Sequence, residues 1–163
     1  MSSRERHQSG GSTAQVQQAL RECGLSSGVR EMPASTRTAK EAAEAIGCGV
    51  GQIAKSLVFR GRESGRPLLI IVSGTNRVNE PAFAALVGEP IERAKPDFVR
   101  ETTGYAIGGI PPVGLIRPMS VWMDRDLLGY EQIWAAAGTP FAVFSIAPGE
   151  LQRVSGAALV DVK

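Results

Sequence analysis

The sequence predicts a mixed α+β domain. Two strand-like apolar runs stand at 52–59 and 67–73, separated by a polar stretch that reads as a hairpin loop. Short helical patterns with recognisable caps lie on both sides of them. Strands and helices do not follow the strict alternation of a doubly wound parallel sheet, which favours α+β or mixed α/β. At 163 residues, with 43% apolar and 21% charged side chains, the chain suits one folded domain rather than a disordered one.

Residues 1–11 (MSSRERHQSGG) carry no apolar period and read as a disordered leader, leaving 12–163 as the domain. The first helix is expected from Ser12, because Ser12 and Gln15 fit a capping box. Val16, Ala19, Leu20 and Cys23 form its apolar stripe, and Gly24 its left-handed cap. A second helix has the same grammar: Thr38 and Glu41 as the box, Ala39, Ala42, Ala43 and Ile46 as the stripe, Gly47 as the stop. Beyond the two strands, short helices are expected at 79–87 and 95–103, followed by a Gly/Pro-rich loop at 104–114. Strands near 113–116, 121–124, 132–136 and 141–146, a turn at 126–130, a helix at 148–154 and a strand at 158–162 complete the chain.

Rare residues narrow the chemistry. The single histidine, His7, sits in the leader, which argues against a Ser-His-Asp triad, a Cys-His pair or a histidine-rich metal site. Cys23 and Cys48 lack CxxC spacing; Cys23 falls on a buried stripe, and nothing beside Cys48 would activate a thiolate. An enzyme built on this inventory works with lysine, carboxylates, hydroxyls and backbone amides, without a metal or other cofactor. The net charge of 18 − 16 = +2 does not suggest a protein held on nucleic acid by bulk charge alone. No stretch approaches the ~20 apolar residues of a membrane span, and the first residues lack the apolar core of a signal peptide. A soluble, cytoplasmic protein without membrane contact is expected.

Lys55 is the most informative residue. Strand alternation puts it on one face with Ile53, Leu57 and Phe59, where an ammonium is costly unless paired. It is an edge-strand charge that blocks aggregation, a side chain that snorkels outward along the apolar surface, or a point charge for a phosphate at the mouth of an apolar pocket. The loop Gly104-Tyr-Ala-Ile-Gly-Gly-Ile-Pro-Pro-Val-Gly114 is a second candidate. Gly108 and Gly109 allow backbone N–H groups to approach a carbonyl or oxyanion, and a plain rigid turn is the alternative. It is neither a GxGxxG fingerprint nor a Walker loop. In Ala135-Ala-Ala-Gly-Thr-Pro-Phe141, small residues ending a strand leave room for a pocket wall, and Thr139 offers a hydroxyl. Asp124, Arg125 and Asp126 read as a solvated acidic turn. Arg60, Arg62 and Arg66 read as a solvated hairpin tip that could also touch a nucleic-acid backbone.

Taken in order, these segments resemble the YbaK/ProX aminoacyl-tRNA deacylases, relatives of the editing domain inserted in bacterial prolyl-tRNA synthetase. The resemblance covers about 35–161. It rests on Thr36-Arg-Thr-Ala-Lys-Glu-Ala-Ala, Gly51-Gln-Ile-Ala-Lys-Ser-Leu-Val-Phe59, Val72-Ser-Gly, the 104–114 loop, the aspartate of Trp-Met-Asp124, Ala137-Gly-Thr-Pro140 and Ser155-Gly-Ala…Val-Asp161. It implies a single mixed α/β domain around a barrel-like sheet. It also implies an enzyme acting in trans on tRNA mischarged with a small amino acid, of the Cys- or Ala-tRNA(Pro) kind. The family's functional lysine falls on Lys55, which would anchor the tRNA 3′ acceptor end, and its backbone-contact loop on Gly108 and Gly109. Hydrolysis there leans on substrate groups and backbone donors. Leu57, Phe59, Gly138, Thr139 and Phe141 are the expected substrate-binding positions, with Phe141 where some relatives carry histidine. Aminoacyl-tRNA is the implied partner, with prolyl-tRNA synthetase a second candidate. The rival reading is a catalytically silent module of the same fold that binds tRNA or a synthetase. A hydrolase of simple amino-acid esters is a third.

Overall fold

Ile53–Gly61 (β2) and Pro67–Ser73 (β3) pair antiparallel from Ala54↔Ser73 to Arg60↔Pro67, the hairpin that the sequence predicts. Around it a computed structural model, which describes residues 2–163 with side chains from residue 11 on, builds one eight-stranded mixed sheet. The other strands are Arg30–Glu31 (β1), Ile91–Arg93 (β4), Ser120–Asp124 (β5), Ile133–Ala136 (β6), Ala142–Ile146 (β7) and Ala158–Val160 (β8). Their order is β1-β7-β6-β2-β3-β5-β8, with β4 joining β2 beside that path. The β2–β6, β3–β5 and β5–β8 pairs are parallel and the rest antiparallel. Short helices surround the sheet: Ser2–Glu22 (α1), Ala39–Ile46 (α2), Glu80–Val87 (α3), Pro96–Thr103 (α4) and Pro148–Ser155 (α5). This is the predicted mixed α/β class.

The pattern Leu-Leu-Ile-Ile-Val in β3 has no polar alternation because both of its faces are covered. Leu69 and Ile71 join Met123, Ile133 and Phe144 on one side of the sheet, while Leu68, Ile70 and Val72 pack with Phe59 and Phe83 on the other. Phe83 of α3 meets Phe59 and Trp122 edge-on, with ring centroids 5.7 and 5.1 Å away.

α2 starts and stops as its sequence predicts. The Thr38 hydroxyl accepts the Glu41 N–H at 3.1 Å, and Gly47 closes the helix at φ 85°. α1 ends as expected before Gly24 at φ 78°, with Val16 and Leu20 fully buried. Its helical backbone begins at Ser2, however, so Ser12 and Gln15 lie inside the helix and do not cap it. No proline stands between them, and Gly10 and Gly11 each weaken a helix by only ~1 kcal/mol. Met1 and the side chains of 2–10, His7 among them, lie outside the described residues, and most of the expected leader falls there.

Two sequence readings are corrected, and two short strands lie where the sequence predicts nothing. Residues 113–116 form no strand. Pro111 and Pro112 offer no N–H to a ladder and Gly114 turns the chain at φ 74°, so this segment is held instead by the Tyr105 hydroxyl donating to Gly114 O at 3.0 Å. Asp124 is not a solvated charge: it is 1% exposed. Its carboxylate accepts from the Ser73 N–H, the Asn76 amide and the Asp126 N–H at 2.8–3.0 Å, which joins the ends of β3 and β5. β1 and β4, of two and three residues, have no sequence signal of their own.

The β2–β3 turn is clamped by Glu89, which accepts from the N–H groups of Glu63 and Ser64, both at 3.0 Å, and from the Ser64 hydroxyl at 2.7 Å. These bonds, with Arg66 nearby, hold its carboxyl down at about 2, against an ordinary 4.5. A depressed carboxylate stabilises the fold above its ordinary value, and that contribution is lost as pH falls from 4.5 towards 2. Urea midpoints at pH 5 and pH 2.5 should therefore differ less in Glu89→Gln than in the wild type; parallel acid limbs would contradict the clamp.

Candidate active site

β2 lacks a neighbour along part of one edge, and a cavity opens there. β6 pairs with it only at Ile53 and Ala54, and β4 only from Phe59 onward. Between them the Val58 carbonyl accepts from Ala94 N–H at 3.1 Å. In an antiparallel strand alternate residues aim both backbone groups to the same side, so those of Ser56 point with Val58's into the gap. The cavity holds about 270 Å³. Its floor is Ile53 to Leu57, and its walls are the start of α2, the end of β6 with Trp134, and the loop at Ile107, Gly108 and Ile110.

Lys55 lines this cavity and is half-buried. Among the described residues its ammonium has no hydrogen bond or ion pair. Burial, foremost, and then the guanidinium groups of Arg93 and Arg77 push its pKa below the ordinary 10.5, while Asp124 pulls the other way. A partly desolvated cation flanked by two more is an electrostatic seat for an anion.

The glycine pair divides its work. Gly108, at φ 93°, lines the cavity beneath Arg37, whose Cγ would lie 2.5 Å from a Cβ placed there. Among the described residues the Gly108 N–H has no acceptor. The Gly109 N–H is already donated to Ala106 O at 3.0 Å, so it is not a donor for a ligand. Gly109 instead allows close packing: its own Cβ would stand 2.9 Å from Thr139 Cα and 3.0 Å from the Gly138 carbonyl carbon.

The segment 138–141 stands behind the site and braces it. Gly138 N–H donates to Gly109 O at 2.9 Å, and the Pro140 carbonyl accepts from both the N–H and the hydroxyl of Thr36, at 2.6 and 2.9 Å. The Thr139 hydroxyl accepts the Phe141 N–H at 3.2 Å. Gly138, Thr139 and Phe141 do not line the cavity, and Phe141 is 50% exposed. Phe59 is buried in the core and borders a smaller side pocket together with Leu57, which lines both spaces.

Most lining residues are not singled out by the sequence, Arg37 and Ser56 among them. Arg37 lies in the segment before a helix cap, inside the motif that starts at Thr36 but with no role assigned to it. Ser56 sits on the opposite strand face from Lys55, and only the split in the sheet brings both to one cavity. Burial raises the Cys48 thiol above its ordinary value, in keeping with an inert cysteine. Among the described residues the cavity lining contains an ammonium, a guanidinium, hydroxyls and backbone N–H groups, and no carboxylate or imidazole. Such a site can grip an anion and polarise a carbonyl. Among the described residues it offers no carboxylate or imidazole as general base.

Other proteins are similar to this chain in sequence and fold. A solved structure described as a candidate trans-editing enzyme for prolyl-tRNA synthetase superposes with a TM-score of 0.87 at 52% identity, covering 93% of this chain and 96% of that one. YwhH of Bacillus subtilis, an uncharacterized protein, is 33% identical over 127 residues, 78% of this chain and 80% of its own. The candidate Cys-tRNA(Pro)/Cys-tRNA(Cys) deacylase EbsC of Enterococcus faecalis is 25% identical over 127 residues, 72% of this chain and 77% of its own. The model of the aminoacyl-tRNA editing domain matches residues 33–154, a span that contains every residue lining the cavity. With this match and the fold in agreement, the chain belongs to the aminoacyl-tRNA editing domain family, of the YbaK/ProX type.

Proposed function

We propose that this chain is a trans-acting deacylase that hydrolyses the ester of tRNA carrying a wrongly attached small amino acid. The observation that carries the reading is one cavity lined by both a half-buried Lys55 and Gly108, whose ammonium and N–H have no partner among the described residues. Lys55 holds a phosphate of the tRNA 3′ end as a point charge, with Arg77 and Arg93 adding to the local field. The Gly108 N–H takes the ester carbonyl oxygen and stabilises the negative charge that develops there. Water adds to the carbonyl carbon, the bond to the ribose oxygen breaks, and a proton ends on that oxygen, releasing amino acid and intact tRNA. With no imidazole or carboxylate in the lining, a substrate group assists the water.

Likeness to a candidate trans-editing enzyme for prolyl-tRNA synthetase supports tRNA(Pro) as the carrier and that synthetase as the partner. A pocket separates substrates differing by one methylene by only ~1–3 kcal/mol, so the tRNA must contribute to discrimination. The test is a panel of tRNA(Pro) charged with Cys, Ala, Ser, Thr or Pro. At least one small, incorrect ester should be lost well above its spontaneous rate, and prolyl-tRNA should survive. A chain that binds these tRNAs and accelerates none of them is the silent binding module instead.

A further inference from the structure

The Ser56 hydroxyl is buried and has no hydrogen-bond partner among the described residues. Buried hydroxyls are nearly always paired, so an orphan on a residue that borders two cavities calls for a partner, which a small side-chain rotation towards either space would let a ligand supply. Ser56 lies where two spaces meet. It lines the 270 Å³ cavity with Lys55, and also a side pocket of about 120 Å³ whose other walls include the apolar Val58, Phe59 and Val99. The backbone groups of Ser56 face the same gap in the sheet. Its carbonyl suits the α-ammonium that every aminoacyl ester carries, which leaves the hydroxyl for something that varies between substrates.

We propose that Ser56 is a specificity-determining residue: the side pocket takes the amino-acid side chain, and the Ser56 hydroxyl pairs with a hydroxyl on its β carbon, favouring seryl and threonyl esters over aliphatic ones of equal size. This assignment rests on the deacylase reading for its substrate class. A site built to pair a substrate hydroxyl rejects the analogue lacking it far more strongly than an apolar pocket rejects a missing methylene. The apolar walls accept the threonyl methyl.

The test compares seryl with 2-aminobutyryl, which exchanges the hydroxyl for a methyl at nearly constant volume. Hydrolysis of the two tRNA esters is measured alongside binding of the hydrolysis-resistant seryl and 2-aminobutyryl amides of 3′-amino-3′-deoxyadenosine. The wild type should favour seryl at least tenfold in both assays. Ser56→Ala should bring each ratio to within threefold of unity, Ser56→Thr should keep the preference, and the thermal midpoint of Ser56→Ala should not fall. Ratios unchanged in Ser56→Ala, or no seryl preference in the wild type, overturn the assignment. Selective binding of the seryl amide without hydrolysis of either ester would support the subsite and refute the deacylase. Hydrolysis with ratios insensitive to Ser56 would do the reverse.

Discussion

Lys55→Ala is expected to lower deacylation about ten- to a hundred-fold, the equivalent of a charge-assisted contact of ~1.5–3 kcal/mol, while the protein stays folded. The wild-type ammonium is held partly out of water without a partner among the described residues, so removing it relieves a cost and leaves none of them newly stranded. The sign of its pH dependence follows from the lowered pKa. The folded state sheds this proton before the unfolded state does, so wild-type stability rises with pH between that lowered value and 10.5. Lys55→Ala should lack this increment, which parallel denaturation series up to pH 10.5 would reveal. Lys55→Arg should also be impaired, since a guanidinium fork does not replace a compact point charge. A gatekeeping lysine on an exposed edge predicts the opposite: full activity and poorer solubility in the alanine variant.

Gly109→Ala should be damaging by a different route. Its new methyl would meet backbone at 2.9–3.0 Å on Gly138 and Thr139, and backbone cannot turn aside as a side chain can. Overpacking of this kind costs ~1–3 kcal/mol, so a lower denaturation midpoint is expected. The shift also moves the neighbouring Gly108 N–H relative to the ester carbonyl, and displacements near 1 Å can cost on the order of a hundred-fold in rate. At a substrate concentration well above KM, kcat should therefore fall more than binding does. Gly149→Ala is the control: a Cβ there meets nothing within 4 Å, in the first turn of α5. A Gly109→Ala enzyme as stable and as fast as the Gly149 control would show that the brace does not position the loop.

The elements legible in the sequence were those whose signal is local. The cap at Thr38, the stop at Gly47 and the apolar run of β3 each depend on neighbours within a few residues, and each was read correctly. Where long-range pairing decides, the sequence was silent or misleading. Val113 is buried like a strand residue, yet the prolines before it and Gly114 after it keep the segment out of the ladder. Asp124 looks like a surface charge until β3 and the Asn76 turn are folded against it. The site divides in the same way. Lys55 and Gly108 stood out because each is unusual in its own segment, a cation in an apolar strand and a glycine pair in a loop. Ser56 and Arg37 are ordinary in theirs: Ser56 reaches the cavity where β6 leaves β2 after Ala54, and Arg37 because it packs over Gly108. Thr139 and Phe141, expected as substrate-binding positions, are not among the residues lining the cavity, and the bonds from Gly138 to Gly109 and from Thr36 to Pro140 tie their segment to the loop and to the start of α2.

Turnover of mischarged tRNA is the most direct measure of the central claim. A catalytic amount of protein is given excess tRNA(Pro) bearing the small amino acid that the panel selects, and free amino acid is counted against time. The account predicts many equivalents released per wild-type molecule, and at least a tenfold slower release by a Lys55→Ala protein with an undiminished thermal midpoint. Release by the wild type no faster than in buffer, or undiminished release by folded Lys55→Ala, would contradict it.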